Sequence, residues 1–186
     1  MSGTRNVAVL LGSLQKRSCN RRIADELAEI APRTLRLEIV DISRLSLYTQ
    51  NLDAAPPLEW VLFRQQILAA DGLLFMTTEN SRTVPGILKN ALEIGARPCN
   101  RNAWAGKPCG IVSISPDGIA RGRTDRHLRR ALLLQDVPVM EQPDARIRHG
   151  TLLFDSTGRL VNVEIRCFLQ QFVAAFQNWV DSGHLH

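Results

Sequence analysis

The stretch Asn6-Val7-Ala8-Val9-Leu10-Leu11-Gly12-Ser13-Leu14-Gln15-Lys16-Arg17-Ser18-Cys19-Asn20 decides how this chain is read. Residues 6–11 are an unbroken aliphatic run, the pattern of a strand buried on both faces. Residues 12–19 are polar. From Asn20 the period changes: Ile23, Ala24, Leu27, Ala28 and Ile30 recur at helical spacing until Pro32 stops them. Buried strand, polar loop, amphipathic helix is the first half of a β–α–β unit.

Working outward, the alternation repeats. Residues 35–39 alternate apolar and polar, as in an edge strand. A long loop (41–57) leads to a helix over 58–70, and Asp71-Gly72 precedes a third buried strand at 73–76. A polar loop at 77–84 opens a helix over 85–96 with Pro85 in its first turn. A fourth buried strand covers 109–114, followed by a glycine-containing loop to 122 and a helix over 123–135. Residues 137–140 open a short fifth strand, and an amphipathic helix over 159–180 closes the chain. This predicts an α/β three-layer sandwich with a five-stranded parallel sheet in the flavodoxin-like order 2-1-3-4-5. Ligands of such sheets bind beyond the carboxyl ends of the strands, so the loops 12–20, 77–83 and 115–122 should meet at the site.

Composition narrows the classes. At 186 residues, 45% hydrophobic and 22% charged, the chain reads as one folded domain over 1–186 and not as a disordered segment. No apolar run approaches the ~18 residues that span a bilayer, and the apolar run at 7–11 is too short for a secretory signal, so a cytoplasmic location is expected. The cysteines Cys19, Cys99, Cys109 and Cys167 have no metal-ligand or disulfide-framework spacing. The charge of +5 comes from 20 Arg and 3 Lys; it permits an anionic ligand, although coding bias gives the same arginine excess.

The first loop is neither GxGxxG nor GxxxxGK[ST]. It still leads into a helix N-terminus, where backbone N–H groups favour an anion. Ser13, Ser18 and Asn20 add donors, and Lys16 and Arg17 add charge, which suits a phosphate monoester; Ser18 or Asn20 would equally serve as a plain helix cap. Thr77-Thr78-Glu79-Asn80-Ser81-Arg82-Thr83 reads either as a surface for a heterocycle or as a turn before a helix. Ser115-Pro116-Asp117-Gly118 reads as a far wall, where Gly118 admits a flat ligand, or as a plain βα turn. Arg121–Arg130 holds five arginines and His127 without interleaved aromatics, more a solvated or interface face than a nucleic-acid surface. No acid, base or nucleophile stands out, which points to a cofactor that carries the chemistry.

Several segments resemble the NADPH-dependent FMN reductase family, which includes quinone, chromate and azo-dye reductases. They are Leu11-Gly12-Ser13-Leu14 with Ser18-x-Asn20-Arg21, Val84-Pro85-Gly86-Ile87-Leu88-Lys89-Asn90-Ala91-Leu92-Glu93 followed by Arg97-Pro98, Gly106-Lys107-Pro108, Arg123-x-x-x-His127-Leu128-Arg129, Pro138-Val139-Met140 and Phe168-Leu169-Gln170-Gln171-Phe172. The resemblance implies FMN, with Ser13, Leu14, Gln15, Lys16, Arg17, Ser18, Cys19 and Asn20 around its phosphate. Glu79, Asn80, Ser81 and Arg82 would lie along the isoalloxazine, and Ser115 and Gly118 would close the other side. It further implies NADPH or NADH as donor, a quinone, flavin, azo or metal-oxyanion acceptor, and a homodimer or homotetramer. The chain departs from the family pattern in three places. Gln15 stands where the family usually has Arg, Arg17 replaces the usual Gly, and the loop 78–83 lacks the family's Tyr. FMN binding weaker than in a version carrying Gln15→Arg and Asn80→Tyr is the expectation from these departures. Other functions compatible with the residues are a flavin-binding electron-transfer protein with weak reductase activity and a basic nucleic-acid-binding regulator.

Overall fold

Burial on both faces makes three strands: β1 (Arg5–Leu11), β3 (Gly72–Thr78) and β4 (Cys109–Ile114), whose side chains are almost all buried. They lie side by side with parallel register, Leu11 opposite Met76 and Thr77 opposite Ser113. The computed structural model describes residues 3–15, 17–79, 83–98, 101–115 and 122–183. β2 (Leu35–Ile39) and β5 (Ala145–Ile147) complete one sheet in the order β2-β1-β3-β4-β5.

Two apolar clusters separate the layers. Ile23 and Leu27 of α1 (Cys19–Ile30) pack with Leu169, Phe172 and Phe176 of α5 (Val163–Asp181) on one face. On the other, Trp60 and Phe63 of α2 (Leu58–Ala69) pack with Leu88 and Ala91 of α3 (Gly86–Ala96) and Leu128 and Leu132 of α4 (Arg123–Leu133). Trp104 is fully buried between them and its indole N–H donates to Leu92 O at 3.0 Å.

The expected fifth strand at 137–140 is corrected. There Val139 makes only a lone parallel bridge to Cys109, and the ladder forms at Ala145–Ile147 opposite Val112–Ile114. Pro138 and Pro143 lack the N–H a ladder needs, so the chain touches the sheet, leaves it and returns. The last helix starts at Val163, later than the apolar pattern suggests. Asn162 caps it by accepting from Ile165 N at 2.9 Å, and Leu160 is held in an antiparallel bridge to Phe154.

Candidate functional site

The loop between β1 and α1 is fastened at both ends to one carbonyl of β3. Gly12 N donates to Met76 O at 2.7 Å, and Asn20 Nδ2 donates to the same oxygen at 3.2 Å. Thr78 Oγ1 donates to Asn20 Oδ1 at 3.3 Å, so this fully buried amide joins the first turn of α1 to the end of β3. A side chain at position 12 would meet Pro85 Cγ at 3.0 Å, Met76 O at 3.1 Å and Leu88 Cδ1 at 3.2 Å, which is why glycine stands there.

Between these anchors the loop faces outward. Ser13 and Ser18 are half-buried, while Leu14, Gln15 and Arg17 are exposed. Ser18 caps α1: its Oγ accepts from Arg21 N at 3.2 Å, and its own N–H donates to Gln15 O at 3.0 Å. The hydroxyl proton of Ser18 is left to donate outward. Cys19 packs against the α1/α5 core. Lys16 lies outside the described residues. A cleft of about 390 Å³ flanks the loop, lined in part by Ser13, Gln15, Arg21, Asp41 and Ser43. Hydrogen bonds from the Ser43 hydroxyl and N–H hold the Asp41 carboxyl below its ordinary range.

The ends of β3 and β4 are held differently. Glu79 is half-buried; its N–H donates to Ile114 O at 3.1 Å, extending the β3–β4 ladder. Its Oε1 accepts from Ser113 Oγ at 3.1 Å and from Asp125 N in the first turn of α4 at 3.3 Å. Asp125 is 1% exposed; its carboxylate accepts from Arg129 Nε at 3.1 Å and Arg146 Nη2 at 3.5 Å. Ser115 is buried, with its N–H on Ile147 O and its carbonyl accepting from Gly150 N. Thr77 Oγ1 and Thr124 Oγ1 are buried in this region without a protein partner. Asn80, Ser81, Arg82 and Gly118 lie outside the described residues.

The carboxyl ends of β1, β3 and β4 therefore carry the loops that topology selects. The donor set fits FMN at its phosphate end. Residues 12–20 contain no carboxylate, and they combine a helix N-terminus with two half-buried serines and basic residues. The two unpartnered threonine hydroxyls add polar capacity at the ring end, where a carbonyl-rich heterocycle needs it. Sequence reasoning placed Thr77 and Thr78 in the second loop but did not find Ser113, Thr124, Asp125 or Arg146. The only local sign was a polar residue, Ser113, at a buried position of an apolar strand.

Comparison with known proteins agrees with this geometry. Residues 5–151 match the NADPH-dependent FMN reductase family. The chain is 45% identical over 181 residues to a quinone reductase of Pseudomonas putida, covering 97% of each chain. It is 38% identical over 174 residues to a 2-hydroxy-1,4-benzoquinone reductase of a Burkholderia species, covering 94% of this chain and 95% of that one. Among solved structures, a flavoenzyme NAD(P)H:(acceptor) oxidoreductase of Paracoccus denitrificans superposes with a TM-score of 0.90 at 31% identity, over 98% of this chain and all of the other.

Proposed function

The chain belongs to the NADPH-dependent FMN reductase family, and on that premise we propose that it is an FMN-dependent NAD(P)H:quinone oxidoreductase. The observation that carries this reading is likeness to quinone reductases along nearly the whole chain. FMN, when bound, would supply the hydride and electron-transfer chemistry that links a nicotinamide donor to a quinone acceptor.

The chain's own residues bind and orient. Ser13, Ser18 and the first turn of α1 donate to the phosphate, with Lys16 and Arg17 adding charge. Asn20 keeps the loop at a fixed height above β3, and Gly12 lets it sit close to α3. Glu79 and Ser115 stand where the chain leaves β3 and β4, at the start of the two segments that the family resemblance assigns to the ring system. The reading includes action in the cytoplasm, where NAD(P)H is at hand, by a protein folded as one domain over 1–186. It also includes association into a dimer or tetramer. Support comes from α2, which leaves Leu58 and Leu62 70% and 50% exposed, one turn apart on its outer side.

The test is steady-state oxidation of NADPH and NADH by the purified protein with added FMN, using 1,4-benzoquinone as acceptor. Turnover that needs FMN and rises with quinone is expected. Absence of FMN-dependent turnover with either nucleotide overturns the reading.

A further inference from the structure

α4 begins without a cap of its own. Its N-terminal flanking residue is Gly122, at φ 61°, which has no side chain to accept from the first-turn N–H groups. The left-handed backbone of Gly122 disfavours an ordinary capping residue, and an added Cβ would also have to displace the guanidinium end of Arg146, 2.7 Å away. The missing acceptor comes from another strand. Glu79 Oε1 takes the N–H of Asp125 at 3.3 Å and the hydroxyl of Ser113 at 3.1 Å. A carboxylate at a helix N-terminus is also favoured by the helix dipole. The Asp125 side chain cannot substitute, because it turns the other way, onto Arg129 and Arg146.

We propose that Glu79 is a positioning residue that clamps the first turn of α4 to the ends of β3 and β4, and thereby fixes the frame from which the chain leaves the sheet toward the flavin. Two groups from different elements, Ser113 Oγ and Asp125 N, converge on its one carboxylate oxygen. Glu79 is the first residue beyond β3 and directly precedes Asn80. Ser113 sits two residues before Ser115. Asp125 belongs to the helix that carries the chain away from the β4 loop. A flat ligand held between the β3 and β4 loops needs that frame held constant before it arrives, which lowers the cost of binding. Among the described residues Thr77 Oγ1 and Thr124 Oγ1 of the same region already lack partners, and loss of Glu79 would add Ser113 Oγ and Asp125 N to the unmet donors.

The inference rests on the FMN reading, and two readouts keep the two apart. In apo-protein, Glu79→Ala should speed amide hydrogen exchange at residues 124–126 by about tenfold or more, with exchange in α5 unchanged. In FMN titrations followed by flavin fluorescence, Glu79→Ala should raise Kd by about tenfold or more, the effect of a buried donor without its partner. Glu79→Gln, which keeps a carbonyl acceptor, should restore most of both. Ser113→Ala, a milder change that keeps the chain folded, should move both in the same direction by a smaller factor. A wild-type protein that binds no FMN overturns the functional reading itself. Against an FMN-binding wild type, a Glu79→Ala or Ser113→Ala protein with faster exchange but unchanged FMN affinity overturns the positioning role. Unchanged exchange overturns the clamp.

Discussion

The two ends of the proposed flavin site are built on opposite principles. At the β1–α1 loop, neutral groups do the fastening: one backbone carbonyl, that of Met76, takes both Gly12 N and Asn20 Nδ2. No carboxylate lies within residues 12–20, Ser13 and Ser18 are half-buried, and Ser18 Oγ caps the helix N-terminus by accepting from Arg21 N. At the β3–β4 end the fastening is ionic. Glu79 and Asp125 are both engaged, one by a helix N-terminus and a serine, the other by two arginines. A site that must receive an anion keeps its anchors neutral and its donors free. A site that must hold a frame fixed uses charges, which are directional and satisfied by the protein itself.

This comparison predicts a ranking of stability losses. Asp125→Ala should be the largest, about 2 kcal/mol in urea unfolding. The full cost of breaking a buried pair is roughly 3–5 kcal/mol, and the 25% and 39% exposure of Arg129 and Arg146 reduces it. A change in residues 12–20 that costs more than Asp125→Ala would reverse the comparison.

Asn20 sharpens it at the other end. Asn20→Ala should cost about 1–2 kcal/mol, the size of its two lost internal hydrogen bonds. Asn20→Asp keeps an acceptor for Thr78 but repels Met76 O and places a negative charge by the phosphate. FMN affinity should therefore fall further in Asn20→Asp than in Asn20→Ala, while riboflavin, which has no phosphate, is affected alike by both. Equal FMN affinities for the two variants would put the phosphate elsewhere.

The two ends also differed in how legible they were. The aliphatic runs of β1, β3 and β4 announce strands buried on both faces, and the order 2-1-3-4-5 follows from their alternation with helices. The β1–α1 loop was readable because its donors and its helix are contiguous. Glu79 was readable as a site residue but not as a helix cap, since its partners Ser113 and Asp125 lie 34 and 46 positions away. No local pattern encodes such a contact. The fifth strand was placed too early for a related reason: a three-residue strand carries almost no period, and Pro143 stands between the first touch at Val139 and the ladder at Ala145.

The smallest expected effect concerns Gln15, which is exposed on the loop. Gln15→Arg should raise FMN affinity by no more than about threefold at low salt, and the gain should fade at high salt, as for any exposed ion pair. No gain at low salt would mean that the charge at Arg17 already serves the phosphate.

The central claim is that the β1–α1 loop is an anion site for the phosphate of FMN. Calorimetric titration of the apo-protein with FMN and, in parallel, with riboflavin tests it directly, because the two differ only in that phosphate. The account predicts FMN bound about a hundredfold or more tighter than riboflavin, since charge-assisted hydrogen bonds at a helix N-terminus are worth several kcal/mol together. Equal affinity for the two flavins would contradict it.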